Sequence, residues 1–260
     1  MSIIKKGLKV LHEEGLIVFI KNTSFYIFRK IIDLSGLGYI ISYFIINKFR
    51  NYVSNVNSIY DIVNFAYSFQ CFGISIRPAQ IRYEIIKFLE LVVKLKPKTI
   101  LEIGTAKGGT LFLFTRIADL NATIISIDLP GGPFGGGYPK WKIPFYKSFA
   151  RKGQKIFLIR GDSHDLTTLK KVKLILANRK IDFLFIDGDH TYEGVKKDFE
   201  MYSPLVKKGG IIAFHDIVPG PVKHVGGVPR FWREIRNKYN YIEIVRDWKQ
   251  GGYGIGIIYV

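Results

Sequence analysis

Apolar positions change their rhythm along this chain. Between Pro78 and Lys96 they recur at 81, 85, 88, 89, 92 and 95, the spacing of one helical face. Short, nearly continuous apolar runs follow at Thr99–Ile103, Thr123–Ile127, Lys155–Ile159, Asp182–Ile186 and Gly210–Phe214. Runs of that length, bounded by polar and glycine-rich stretches, predict strands buried on both faces. Val195, Phe199, Tyr202 and Val206 mark a helical stripe between the last two runs. Two closing strands are expected at Tyr241–Val245 and Tyr253–Tyr259, on either side of Gly251 and Gly252. Strands alternating with helices predict an α/β fold with a mostly parallel sheet covered on both faces.

The segment before residue 60 reads differently. It is rich in Ile, Phe and Tyr, and its stretch Ile31–Ile46 carries one charge, Asp33, between Arg29-Lys30 and Lys48/Arg50. These 16 residues fall short of the roughly 20 that span a bilayer as a helix. A packing helix and an interfacial helix both fit. Tyr39, Tyr43 and the basic flanks favour peripheral membrane contact through residues 29–50 over a span. We therefore expect an N-terminal basic, apolar helical extension over 1–60 and a main domain over 61–260.

Charge and cysteine content narrow the setting. The chain has 39 basic and 21 acidic residues, a net charge of +18, without any block of five like charges. That describes a basic solvated surface attractive to anions but specifies no partner. A single cysteine, Cys71, excludes an intrachain disulfide framework. No small-residue cleavage site follows an early apolar run, so a cytoplasmic setting is expected, with peripheral contact at the inner membrane face.

In an open α/β sheet, ligands bind beyond the carboxyl ends of the strands. After the first strand comes Leu101-Glu102-Ile103-Gly104-Thr105-Ala106-Lys107-Gly108-Gly109. Gly104 and Gly108 allow a tight turn close to a ligand. The run lacks the strict G-x-G-x-x-G of dinucleotide sites and the Lys-Ser/Thr ending of a phosphate loop. Glu102 suits an amine-bearing ligand better than a pyrophosphate. Asp128 ends the second strand, where a carboxylate accepts both hydroxyls of a ribose. Asp162, before Ser163, ends the third, beside the place of an adenine amino group. Any one of these acids could simply cap a loop; three in register at strand ends argue for a nucleoside site.

These stretches, with Asp187-Gly188-Asp189-His190-Thr191-Tyr192 and Gly209-Gly210, resemble the class I S-adenosylmethionine-dependent methyltransferases. The likeness covers about residues 78–260 and is nearest to the branch of macrocin-type sugar O-methyltransferases and cephalosporin-hydroxylase-like proteins. It implies a Rossmann-like, mostly parallel seven-stranded sheet with helices on both faces. It implies S-adenosylmethionine as cofactor, with Glu102 and Gly104 flanking the methionine moiety and Thr105 and Gly108 in the same turn. Asp128 would hold the ribose, Asp162 and Ser163 the adenine, and Asp187 would border the pocket. The acceptor it implies is a small hydroxylated molecule, such as a sugar of a glycan or glycoconjugate.

A sugar hydroxyl needs a base or a metal to become a nucleophile. Two mechanisms are open. In one, Asp187, Asp216 and His215 hold Mg²⁺, as the resemblance to metal-dependent O-methyltransferases suggests, although His215-Asp216 departs from the paired acids of many relatives. In the other, His190 or His215 is the general base, His190 being preferred. The glycine-rich loops Pro130–Trp141 and Pro219–Trp232 would cover the acceptor. A nucleic-acid methyltransferase fits less well, because the place of an Asn/Asp-Pro-Pro-aromatic turn holds Asp187-Gly188-Asp189-His190. A non-enzymatic membrane-associated scaffold and an NAD-dependent oxidoreductase are further alternatives, and a homo-oligomer is compatible with the sequence.

Overall fold

The computed structural model describes residues 36–54, 56, 58–132 and 136–260. Residues 29–35, part of the segment expected to touch a membrane, and Phe134 of the first glycine-rich loop lie outside the described residues.

Seven strands form one sheet: β3 (Thr99–Ile103), β4 (Thr123–Asp128), β5 (Lys155–Arg160), β6 (Ile181–Ile186), β7 (Val206–His215), β8 (Asn240–Ile244) and β9 (Ile255–Tyr259), preceded by the small hairpin β1 (Gln70–Cys71) and β2 (Ile74–Ser75). Their order is β5-β4-β3-β6-β7-β9-β8. The first five are parallel, and β9 pairs antiparallel with both β7 and β8. Every residue of β3, β4 and β6 is buried, as expected of central strands covered on both faces.

Strand alternation divides the core. Ile100, Ile124, Phe183, Phe185, Ile211 and Ile257 face one cluster; Leu101, Ile103, Ile125, Leu184, Ile212 and Ile258 face the other. The first cluster is covered by α1 (Leu37–Val53), α2 (Ile59–Ser68), α3 (Arg82–Val92), α4 (Gly109–Ile117) and α5 (Ile143–Lys147); the second by α6 (Leu166–Leu176), α7 (Tyr192–Tyr202) and α9 (Val228–Ile235). A short α8 (Val222–Val225) completes the helices.

Helix α1 belongs to the first layer. Ile45 and Phe49 are fully buried, and the Phe49 ring meets those of Phe65, Phe69, Phe112, Phe145 and Phe149 at centroid separations of 5.1–5.7 Å. Its opposite side leaves Tyr39, Ile40, Tyr43 and Phe44 exposed. No helix among the described residues is long and apolar enough to cross a membrane.

Two elements differ from the sequence pattern. The helix expected from Pro78 starts at Arg82, because residues 76–78 cross α4 and the chain bends at 79–80; a Cβ on Gly109 would lie 2.4 Å from the Ile76 carbonyl oxygen. The stripe ending at Val206 is cut at Tyr202, and a Ser203–Leu205 turn containing Pro204 leads into β7. A proline there forfeits a helical N–H and turns the chain.

Because one phenylalanine ties α1 to α2, α4 and α5, Phe49→Ala is expected to lower unfolding free energy by about 3–5 kcal/mol. Urea denaturation followed by circular dichroism measures this; a loss below about 1 kcal/mol would show that α1 is not part of the cooperative core.

Candidate active site

The sheet reverses its strand order between β3 and β6, which opens the crevice where such sheets bind ligands. Here the backbones nearly touch. The Asp187 N–H donates to the Ile103 carbonyl at 2.8 Å, and the Gly104 N–H to that of Ile127 at 2.8 Å. Gly104 has φ +102°, and a Cβ on it would lie 2.0 Å from the Asp187 carbonyl oxygen. Only glycine fits on both counts. A cavity of about 980 Å³ lies beyond this turn, lined by Gly104, Thr105, Asp187, His190, His215 and Asp216 among others.

The acids expected to touch cofactor do not all line this cavity. Glu102 is fully buried beneath it. Its carboxyl accepts from Ser126 Oγ at 2.5 Å, and Ser126 in turn lies 2.5 Å from Thr105 Oγ1, which does line the cavity. Burial raises the Glu102 carboxyl to about 8, against the hydrogen bond from Ser126. Asp128 stands behind the turn too. Its oxygens accept the Ala106 N–H at 2.6 Å and the Gly137 N–H at 2.8 Å, so it ties the glycine-rich loop to the β3–α4 turn. Burial raises it to about 6 in spite of these bonds.

Gly108 caps α4 in the left-handed conformation. Asp162 and Ser163 lie outside the cavity lining. Asp162 Oδ1 accepts the His164 N–H at 2.8 Å, and His164 Nε2 reaches the buried Asp198 at 3.2 Å.

The charged cluster sits at the ends of β6 and β7. His215 Nδ1 is 3.0 Å from Asp187 Oδ1 and 3.5 Å from Asp216 Oδ2. His190 places Nε2 3.4 Å from Asp187 Oδ1 and Nδ1 3.4 Å from Asp216 Oδ2, with the His224 carbonyl also at Nδ1. Burial pushes both imidazoles down, but the two carboxylates outweigh it and raise each to about 9. Burial pushes Asp187 up, and the two histidines outweigh that and hold it well below the usual carboxylate range. The carboxylates thus favour the protonated form of both rings, a preference that a bound cation would oppose.

Among the described residues, Asp187, His190 and Asp216 bring ligand atoms within 4.8 Å of one another. The expected metal set named His215 in place of His190; the geometry gathers His190 with the two acids, while His215 turns Nδ1 to Asp187 and leaves Nε2 buried, with no hydrogen-bond partner among the described residues. Two carboxylates and an imidazole, open to a cavity, fit a divalent cation, with Mn²⁺ or Fe²⁺ as well suited as Mg²⁺. Asp189, by contrast, accepts the Thr191 N–H at 2.8 Å while Thr191 caps α7.

Three contributors escaped the sequence reading. Gln80 Nε2 donates to Asp187 Oδ2 at 2.8 Å. The Tyr253 N–H donates to Asp216 Oδ1 at 2.8 Å, with Tyr253 and Asp216 both at φ +62°. Glu84 is buried and accepts from Arg246 N, Gln250 Nε2 and Gly254 N, pinning the loop that carries Tyr253. The only sequence signal was a lone acid on an apolar helix.

Comparison with known proteins gives a consistent picture. Residues 101–217 match the family model described as a methyltransferase domain. An uncharacterized protein of Acanthamoeba polyphaga mimivirus is 33% identical over 142 residues, covering 54% of this chain and 61% of the relative. An uncharacterized protein of Sinorhizobium fredii is 28% identical over 148 residues, covering 56% of this chain and 16% of that protein. The chain thus spans less than two thirds of either relative. Among solved structures, an O-methyltransferase from Bacillus cereus in complex with SAH superposes with a TM-score of 0.52 at 19% identity, over 81% of this chain and 96% of that one. That likeness is one of fold: the sheet domain has the class I methyltransferase fold.

Glu102 generates a pH prediction. Its folded value of about 8 lies above the unfolded value of about 4.3, so its contribution is complete below the unfolded value and lost as pH rises through the folded one. Glu102→Gln keeps an acceptor for Ser126 and does not titrate. The variant is expected to gain stability on the wild type between pH 5 and pH 8, by urea unfolding. Parallel pH profiles would show that Glu102 is ionised throughout.

Proposed function

We propose that this chain is an S-adenosylmethionine-dependent O-methyltransferase acting on a small hydroxylated acceptor, such as a sugar of a glycan or glycoconjugate. The observation that carries the reading is one cavity in which the Gly104 turn meets the Asp187–His190–Asp216 cluster. The turn is the cofactor half. Gly104 and Thr105 would lie along the methionine moiety, with Glu102 holding Thr105 through Ser126 and Asp128 at the end of β4, where a ribose would lie. Asp162 and Ser163 lie outside this cavity, so they would meet the adenine only where the cofactor extends past its edge. When bound, the cofactor supplies an electrophilic methyl group on a sulfonium that leaves as the neutral thioether of S-adenosylhomocysteine.

The cluster is the acceptor half. Methyl transfer to oxygen forms one C–O bond, breaks the C–S bond and releases the hydroxyl proton, which the protein must take. Asp187 and Asp216 are the anionic groups there, and His190 becomes a base only after losing its own proton. Burial of the site strengthens each of these interactions relative to water. A divalent cation held by Asp187, Asp216 and His190 would acidify a bound hydroxyl. Exposed Tyr39, Ile40, Tyr43 and Phe44 on α1, near Lys48 and Arg50, support a peripheral membrane contact. The division into a 1–60 extension and a 61–260 domain stays a proposal about chain organisation, as does a homo-oligomer.

Calorimetric titration with S-adenosylmethionine and S-adenosylhomocysteine tests the cofactor half. Micromolar binding is expected, weakened at least about tenfold in Asp128→Ala; a folded protein that binds neither compound refutes the reading. The cation is tested by electron paramagnetic resonance of added Mn²⁺. Binding is expected in the wild type and at least about tenfold weaker in Asp216→Asn. A wild type that binds no Mn²⁺ leaves the carboxylate–imidazole mechanism alone.

A further inference from the structure

The acceptor cavity does not end at Asp187. A second cavity of about 400 Å³ adjoins it and shares Arg77, Pro78, Ala79, Gln80 and Tyr253 as walls. The second cavity is built around the Tyr67 ring, against which two guanidiniums lie: Arg77 at 5.4 Å and Arg82 at 5.0 Å from the ring centroid. Such stacking holds a guanidinium in place while leaving its N–H fork open.

Neither arginine forms an ion pair with a carboxylate among the described residues. The buried acid of this region, Glu84, has its oxygens taken by Arg246 N, Gln250 Nε2 and Gly254 N. Lys107 and Lys223 add further positive charge to the main cavity, whose acids, Asp187 and Asp216, already face two histidines. The walls therefore carry an excess of positive charge, concentrated where Arg77 and Arg82 converge on one ring.

Gln80 joins the two cavities. Its side chain donates to Asp187, its carbonyl accepts from Tyr67 Oη, and its buried Oε1 has no partner among the described residues.

Resting on the methyltransferase reading, we propose that the acceptor is a phosphorylated hydroxy compound whose phosphate ester sits between Arg77 and Arg82 while a hydroxyl of the same molecule reaches the Asp187–His190–Asp216 cluster. A phosphate fits better than a carboxylate. It carries nearly two charges and three outer oxygens, enough to engage two guanidinium forks, where a carboxylate satisfies one.

The test titrates the full chain, with S-adenosylhomocysteine present and absent, with glucose 1-phosphate, inorganic phosphate and glucose. Glucose 1-phosphate is expected to bind more tightly than either other probe, weakening as salt rises. Arg77→Ala/Arg82→Ala is expected to weaken it at least about tenfold, and Arg77→Lys/Arg82→Lys to restore part of the loss through charge alone. Inorganic phosphate bound as tightly as the sugar phosphate would assign the site to a free anion and overturn the acceptor assignment. Equal binding by wild type and the alanine double variant, or no binding of any phosphate, would overturn it as well. Failure of S-adenosylhomocysteine to bind would sink the methyltransferase reading separately, since the phosphate titrations are read without it.

Discussion

Between the ends of β3 and β6 there is no room for a side chain. The Gly104 backbone lies so close to the Asp187 carbonyl that a single Cβ would overlap it, and the hydrogen bond from Asp187 N–H to Ile103 fixes that approach. Everything else in the site is placed by this contact. It aims the β3–α4 turn into the crevice at the strand-order reversal, and it sets Asp187 at the cavity wall. From there Gln80 and His215 meet Asp187 from the α3 approach and from β7.

Opposite charges face one another across the site. Two carboxylates face two imidazoles, and this pairing raises each ring to about 9 against the effect of burial. An anionic group moving into the arginine-lined extension stays clear of the carboxylates. A hydroxyl is the part that can approach them.

Several acids act one layer behind the surface. Glu102 orders Thr105 through Ser126, Asp128 joins two loops by their backbone N–H groups, and Glu84 pins residues 246–254. Buried carboxyls of this kind serve as rigid acceptors for donors that turns leave unpaired. They hold loops at positive φ, including Asp216 and Tyr253, where an unsupported chain would relax.

The sequence by itself determined the strands, because central strands buried on both faces must be continuous apolar runs, and these are readable without partners. It also marked Gly104, Asp128, Asp187, His190 and Asp216, since the carboxyl ends of parallel strands are where ligands bind. Tertiary structure alone decided the rest. Gln80 and Glu84 reach the site through the packing of α3 on the sheet, over sequence separations that carry no local pattern. That His190 gathers with Asp187 and Asp216, its ligand atom within 4.8 Å of theirs, while His215 turns Nδ1 to Asp187, depended on side-chain direction at neighbouring strand ends. The start of α3 at Arg82 was likewise set from outside, by the close passage of residues 76–78 over Gly109. Periodicity records which face of an element is buried; it does not record what crosses that face.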